Sequence, residues 1–184
     1  MKYLIPLFVT LLTFSCTSKS ELLEKSNCTS TLPNNTKITS DFKNNFTVVV
    51  PKHWKTNLFY NNTESSLFFA DTTKQLNETF IIKTSYNYGE IKNIETIKRN
   101  TDSILKHNNF SKINDFSFSF NQLPAYAYTT KYVNNNRDVT IFQMYAMVNN
   151  ASYLTASVEA YGSANIDKRL CEGISIINSI KISH

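Results

Sequence analysis

The spacing of apolar and polar residues changes period several times along this chain, and each change marks an element. Phe46-Thr47-Val48-Val49-Val50 is short and β-branched, with Pro51 to stop it and the single tryptophan, Trp54, just beyond. Leu67-Phe68-Phe69-Ala70 and Thr79 to Thr84 read as two further strands, joined by a polar turn from Asp71 to Asn77. An antiparallel meander is the economical arrangement for them. From Asn93 to His107 the period becomes helical: Ile94, Ile97, Thr101, Ile104 and Leu105 share one stripe, with Glu95, Arg99, Asp102 and Lys106 facing away. Asn93 is a good N-cap, and Glu95–Arg99 and Asp102–Lys106 are spaced to pair along the helix.

Period two then returns. Phe116, Phe118 and Phe120 alternate with Ser117 and Ser119, and Leu123-Pro124-Ala125 marks a turn or an edge entry. In the next run Tyr126, Tyr128 and Tyr132 fall on one face, and Asn134-Asn135-Asn136 turns the chain. The clearest hairpin joins Val139–Val148 to Ser152–Tyr161 across Asn149-Asn150-Ala151. Its second strand carries Leu154, Ala156, Val158 and Ala160 on one side and Tyr153, Thr155, Ser157, Glu159 and Tyr161 on the other. A last helix, about Asn165 to Asn178, places Ile166, Leu170, Ile174 and Ile177 on one stripe. Gly173 lies in that stripe, where it lets the helix approach a sheet closely, and Cys171 lies at its border.

These elements predict an α+β fold: an antiparallel sheet of about six to eight strands flanked by two main helices. The amino terminus has a different character. Lys2 provides a positive start, Leu4 to Phe14 an apolar run too short to span a bilayer, and small Ser15 precedes Cys16. Leu12-Thr13-Phe14-Ser15-Cys16 resembles the lipobox of bacterial lipoproteins, although Thr13 and Phe14 depart from its usual residues. The resemblance implies cleavage before Cys16 and acylation of that residue, with ordinary secretion as the main rival reading. Each buried methylene is worth about 0.8 kcal/mol, so several chains together hold a protein on a bilayer where one does not. The expected organisation is therefore a signal peptide over 1–15, a polar tether over 16–36 and a single domain over 37–184. The expected location is the bacterial cell envelope, on its periplasmic or cell-surface face.

Composition narrows the function classes. The formal charge is +5, or +4 without Lys2, and the cations are scattered, so nothing points to nucleic acid. Asparagine occurs 23 times against 3 glycines, and it tolerates left-handed backbone better than most residues, which suits it to turns where glycine is scarce. Besides Cys16, two cysteines remain, Cys28 and Cys171. In an oxidising compartment an even number favours a bridge, here one that pins the N-terminal segment to the folded body. The alternative is two unrelated thiols.

Phe46 to Trp54 (FTVVVPKHW), Leu123 to Tyr128 (LPAYAY), Gln143 to Thr155 and the ending Ile176 to Lys181 (IINSIK), taken in this order, resemble the PsbP-like superfamily over about Phe42 to Ile182. Many members carry a glycine before the Leu-Pro, and this chain has Gln122 there. The resemblance implies an antiparallel sheet sandwiched by helices in a non-catalytic accessory protein. It transfers no residue's role.

The catalytic inventory is thin. His53, His107 and His184 stand far apart, and HExxH, CxxC, GxSxG and phosphate-loop patterns are all missing. No catalytic residue, metal ligand or cofactor is assigned. The positive candidates for contact are aromatic: Trp54, Tyr126, Tyr128 and Tyr132, with Tyr60, Tyr153 and Tyr161 in support. The same rings would serve to cover a sheet beneath helices. The expectation is a binding or accessory module whose partners are the bilayer, through acylated Cys16, and an envelope protein complex. A carrier of a small apolar ligand, or a hydrolase with scattered catalytic residues, are the alternatives.

Overall fold

The period-two segments pair into sheets and the period-3.6 segments cover them, in a computed structural model described over residues 20–29, 32–90 and 93–183. The elements are, in order, α1 (Glu21–Lys25), β1 (Thr36–Ser40), β2 (Phe46–Pro51), β3 (Lys55–Tyr60), β4 (Glu64–Ala70), β5 (Phe80–Tyr88), α2 (Ile94–His107), β6 (Ser111–Phe120), β7 (Leu123–Asn134), β8 (Arg137–Asn149), β9 (Ser152–Tyr161), α3 (Ile166–Ile177) and β10 (Lys181–Ile182). The fold is α+β. A seven-stranded sheet runs β3-β4-β5-β9-β8-β7-β6, antiparallel throughout, and a small sheet runs β1-β2-β10. The signal segment and Cys16 lie outside the described residues.

Register shows why the large sheet has two unlike faces. Phe80 and Ile82 of β5, Val158 and Ala156 of β9, Phe142 and Met144 of β8, and Ala127 and Ala125 of β7 fall on one side and are buried. That side receives α3 and α1, and α3 in turn packs against β2 of the small sheet. The small residues of β7 and β9 leave room for the large ones of β5, β6 and β8, as close packing requires. The opposite face of β7 receives α2, whose buried residues are Ile97, Thr101 and Leu105. Ile104, expected in that stripe, is mostly exposed at the helix margin. The Asn93 side chain caps α2 by accepting the Thr96 N–H at 2.8 Å. Asp102 does not pair along the helix with Lys106; it meets Lys112 of β6 at 2.6 Å and ties the helix to the sheet edge.

The second, three-stranded sheet was not expected, nor were β1, β3 and α1. β3 is an edge strand whose residues are nearly all exposed, so it lacks the alternation that marks a half-buried strand. The segment expected to be a polar tether carries α1, and its Leu22 and Leu23 are buried in the core. A pair of leucines in five helical residues is too short a window for periodicity to register. Burying them is worth roughly 1.5–3 kcal/mol each. Glu21 adds a carboxylate that accepts the Ser119 N–H of β6 at 2.8 Å, and the Ser20 hydroxyl donates to the Asn178 side-chain oxygen beyond α3.

Cys28 and Cys171 form the disulfide, with Cα atoms 5.2 Å apart. The bridge joins the turn after α1 to the middle of α3, so the N-terminal segment is pinned to the body.

Asparagine does the turning expected of it. Among the described residues nine non-glycine positions have positive φ: Asn27, Asn35, Asn44, Asn109, Asn121, Asn135, Asn136 and Asn165, and one glutamine, Gln122. Asn121-Gln122 links β6 to β7 and Asn135-Asn136 links β7 to β8 as two-residue hairpin loops with φ positive at both positions, the primed geometry that matches strand twist. Gln122 stands where the resemblance led one to expect glycine.

Two consequences follow for stability. Replacing both Cys28 and Cys171 with alanine lowers the free energy of unfolding, by about 5 kcal/mol at most on the chain-entropy model, and hydrogen exchange rises over residues 20–29; denaturant titration with exchange mass spectrometry measures both. Gln122→Gly raises stability by about 0.5–1 kcal/mol, because relief of the left-handed conformation outweighs the extra freedom glycine gives the unfolded chain. Thermal or denaturant melts of the two proteins check the sign.

Candidate functional site

The face of the large sheet opposite α3 is where chemistry-bearing side chains gather. Alternation along β7, β8 and β9 turns Tyr126, Tyr128 and Tyr132, then Tyr145, then Tyr153 and Tyr161, to this side. α2 lies over the β7 part. The remaining part, over β9, β5 and β4, has half-buried side chains: Tyr153, Tyr161, Glu159, Lys83, Glu64 and Phe68. Beside α2 the surface dips into a cleft of about 560 Å³ lined by Glu90, Ile97, Arg99, Thr101, Ile104 and Tyr145.

The sequence candidates separate on this surface. Trp54 is 5% exposed and packs edge-on to Phe80, with ring centroids 5.3 Å apart, so it belongs to the core. Tyr126 is fully buried beside α2, and its hydroxyl donates to Asp115 at 3.0 Å. Burial, then that hydrogen bond and the Asp115 charge, push the Tyr126 hydroxyl far up. Burial also opposes the charge on Asp115, but the Tyr126 hydroxyl and the ammonium groups of Lys112 and Lys98 together hold its carboxyl below the ordinary range. The structure thus withdraws Trp54 and Tyr126 from any contact surface, because a large ring at a central sheet position is covered before it is offered.

Tyr128 and Tyr132 stay half-buried. Desolvation raises the Tyr128 hydroxyl strongly, and it shares a hydrogen bond with Tyr145. Tyr132 stacks on Phe110 beyond α2 at 4.2 Å between centroids, with the rings nearly parallel. Tyr161 and Glu159 are joined by a short hydrogen bond from the phenol to the carboxylate, which with desolvation pushes the Tyr161 hydroxyl up to about 12. Lys83 pairs with Glu64 at 3.4 Å and lies over the Phe68 ring. Sequence reasoning missed Tyr145, because its strand carries apolar residues on both faces and gives no alternation to read. The result is a rigid surface of aromatic rings with hydroxyls held protonated at neutral pH, interspersed with one ion pair and one carboxylate. It is suited to making hydrogen bonds and flat apolar contacts.

The opposite face holds a second depression. A cleft of about 460 Å³ opens between α3, the turn after α1 and strands β6–β8, lined by Phe116, Phe142, Ile166, Leu170 and Ile174, with the Cys28–Cys171 bridge on its wall.

Glu90 and Arg99 line the first cleft and Lys131 and Asp167 the second, while the described histidines lie away from both. His53 stands 3.6 Å from Asp71 at the surface, and His107 closes α2. Burial raises Asp71, but the Thr73 hydroxyl and N–H together with Lys74 and His53 bring it below its usual range. Arg169 is buried, has no carboxylate partner among the described residues, and donates to the carbonyls of Thr79, Tyr161 and Gly162. Among the described residues no group of three or more His, Cys, Asp or Glu side chains is placed to hold a metal ion, and no helix is long and apolar enough to cross a membrane.

No family model matches the chain, and no curated protein matches it. Solved structures do. The Ran-binding protein Mog1p of Saccharomyces cerevisiae superposes with a TM-score of 0.54 at 9% identity, over 80% of this chain and 95% of that one. Cyanobacterial PsbP (CyanoP) from Synechocystis sp. PCC 6803 does so with a TM-score of 0.53 at 12% identity, over 85% and 97%. A protein from Bacteroides thetaiotaomicron gives a TM-score of 0.51 at 12% identity, over 82% of this chain and 48% of that one. At such identities the likeness is one of fold: the domain has the PsbP-like and Mog1-like architecture.

Proposed function

We propose that this protein is a lipid-anchored, non-catalytic binding module of the bacterial cell envelope, and that the tyrosine-bearing half of the large sheet is its contact face. The observation that supports this is the uneven cover of that face. α2 shields β7, while Tyr145, Tyr153 and Tyr161 lie half-buried beyond it, the Tyr145 and Tyr161 hydroxyls already hydrogen-bonded. Tyrosine ordered in this way offers large contact area at little further entropic cost, the usual make-up of an energetic centre in a protein interface. The accessory role fits the fold. The anchor rests on the resemblance of residues 12–16 to a lipobox. A tether would keep the module close to its partner, so that weak contacts suffice.

A second reading is favoured by the 460 Å³ cleft beneath α3, whose apolar patch of Phe116, Phe142, Ile166, Leu170 and Ile174 suits a small apolar ligand, with polar residues including Lys131 and Asp167 also lining it.

A photoreactive residue at position 153 or 161 of the full chain, irradiated in intact cells, is expected to trap one envelope protein reproducibly, whereas the same residue at Lys168 on α3 traps none. Tyr153→Ala combined with Tyr161→Ala weakens that capture about tenfold, as loss of ~1–2 kcal/mol of aromatic contact would. Recovery of a stoichiometric apolar molecule on solvent extraction, with no trapped protein, favours the carrier instead. Turnover of a substrate that is abolished by one substitution which spares the fold rejects both. The anchor has its own test: Cys16→Ala moves the protein from the membrane fraction to the soluble fraction or leaves an unprocessed precursor, and equal membrane partitioning of the two mature proteins refutes it.

A further inference from the structure

The two edges of the large sheet are finished differently. At β6 the edge is closed: the pairing with β7 is interrupted by a bulge between Lys112 and Asn114, Lys112 and Asp115 stand along the strand, α1 packs against it and Glu21 takes the Ser119 N–H. These are the devices by which sheets avoid pairing with other chains. At β3 only one of them occurs, a single charge: Lys55-Thr56-Asn57-Leu58-Phe59-Tyr60 pairs with β4 without a bulge, has Lys55 at its far end and contains no proline. Its apolar side chains are open to solvent: Leu58 is 51% exposed, Phe59 47% and Tyr60 51%, and Phe42, 53% exposed, stacks on Tyr60 at 3.8 Å. Among the described residues β3 is bonded to β4 alone.

We infer that β3 is a self-association edge, pairing antiparallel with β3 of a second copy of this chain to make one sheet continuous across a two-fold axis. The backbone sets the register. Asn61 N–H bonds to the Glu64 carbonyl, and Phe59, Asn57 and Lys55 follow at every second position facing Ser66, Phe68 and Ala70, so these residues direct their backbone groups inward to β4. Thr56, Leu58 and Tyr60 therefore direct theirs outward. The pairing that uses all three sets Leu58 against Leu58 on the axis and Thr56 against Tyr60 on either side, each pair exchanging two hydrogen bonds. Thr56, Leu58 and Tyr60 also share one face of the strand, so the same register builds an apolar ladder across the join. Charge selects the antiparallel arrangement, because it carries the two Lys55 ammonium groups to opposite ends, whereas a parallel in-register pair would set them side by side. Since the β6 edge is closed, the assembly stops at two copies instead of growing into a filament. The surface is distinct from the tyrosine face, and the inference stands or falls apart from the function proposed above.

Sedimentation of the full chain in a non-ionic detergent is expected to show a concentration-dependent monomer–dimer equilibrium. Leu58→Lys places two like charges on the axis and weakens the dimer by about a hundredfold or more. Leu58→Cys crosslinks two copies under mild oxidation, while Lys55→Cys does not. In the wild type, the amides of Thr56, Leu58 and Tyr60 gain protection from exchange only at dimer concentrations, a measurement that needs no variant. A chain that stays monomeric throughout overturns the inference. So does a dimer indifferent to Leu58→Lys in a protein that keeps its near-ultraviolet dichroism, a crosslink at Lys55→Cys in place of Leu58→Cys, or amide protection that does not change with concentration.

Discussion

The close approach of α3 to β9 is the contact on which the layer structure depends. A methyl group at Gly173 would stand 2.5 Å from Val158 Cγ1 and 3.2 Å from the Phe80 ring, so the helix sits at a distance that only glycine permits. Much else is aligned by it. Cys171, two residues earlier, lies at the flank of α3 within reach of Cys28, and Arg169, one turn earlier, lies low enough to reach the carbonyls of Thr79, Tyr161 and Gly162. A buried guanidinium without a carboxylate is tolerated where carbonyl oxygens replace water around it. Burial pulls its pKa down, but three carbonyl acceptors at the end of the sheet give the charge a fixed seat. The residue thereby locks the start of α3 to the ends of β5 and β9.

How much of this was legible in the sequence depended on whether an element had one buried side. β6, β9, α2 and α3 each have one, and from their periods came the elements, the N-cap at Asn93 and the glycine at the helix–sheet contact. β3 buries little on either side, and β10 has two residues, so neither produces a period to detect. α1 was hidden for another reason: Leu22 and Leu23 are ordinary in a polar stretch until the Cys28–Cys171 bridge and the open groove over β6 give them somewhere to go. The paired cysteines were readable as a possibility, because a thiol at the border of a helical stripe can be met from outside.

The turns were legible through composition. A chain with so few glycines must still reverse direction between long antiparallel strands, and positive φ at both positions of a two-residue loop is what the strand twist demands. Among the described residues asparagine fills eight of the nine left-handed non-glycine positions. Part of the abundance of asparagine is thus put to use by the backbone of the fold. Gln122 is the exception, a residue without asparagine's short amide in a conformation that costs roughly 1–2 kcal/mol for ordinary side chains.

The candidate contact face was legible in kind but not in place. Tyrosine spacing on β7 and β9 put these rings on one side of the sheet, yet it could not say which of them a helix would cover. A fourteen-residue helix is about 21 Å long by its rise per residue, enough to shield a strand and its neighbours but not a sheet seven strands wide. Coverage therefore has to end somewhere on this face. It ends between Tyr126, which is buried and bonded to Asp115, and the band of Tyr145, Tyr153 and Tyr161, where the rings are half-buried and the hydroxyls of Tyr145 and Tyr161 are tied to neighbours. A surface of that kind is neither core nor ordinary solvated sheet. Two of its three phenol tips are already paired, which lowers the desolvation cost of covering it, and tyrosine has few torsions to freeze, which lowers the entropic cost. Those two properties, set by the length of α2 against the width of the sheet, are the reason this face is the one proposed for a partner.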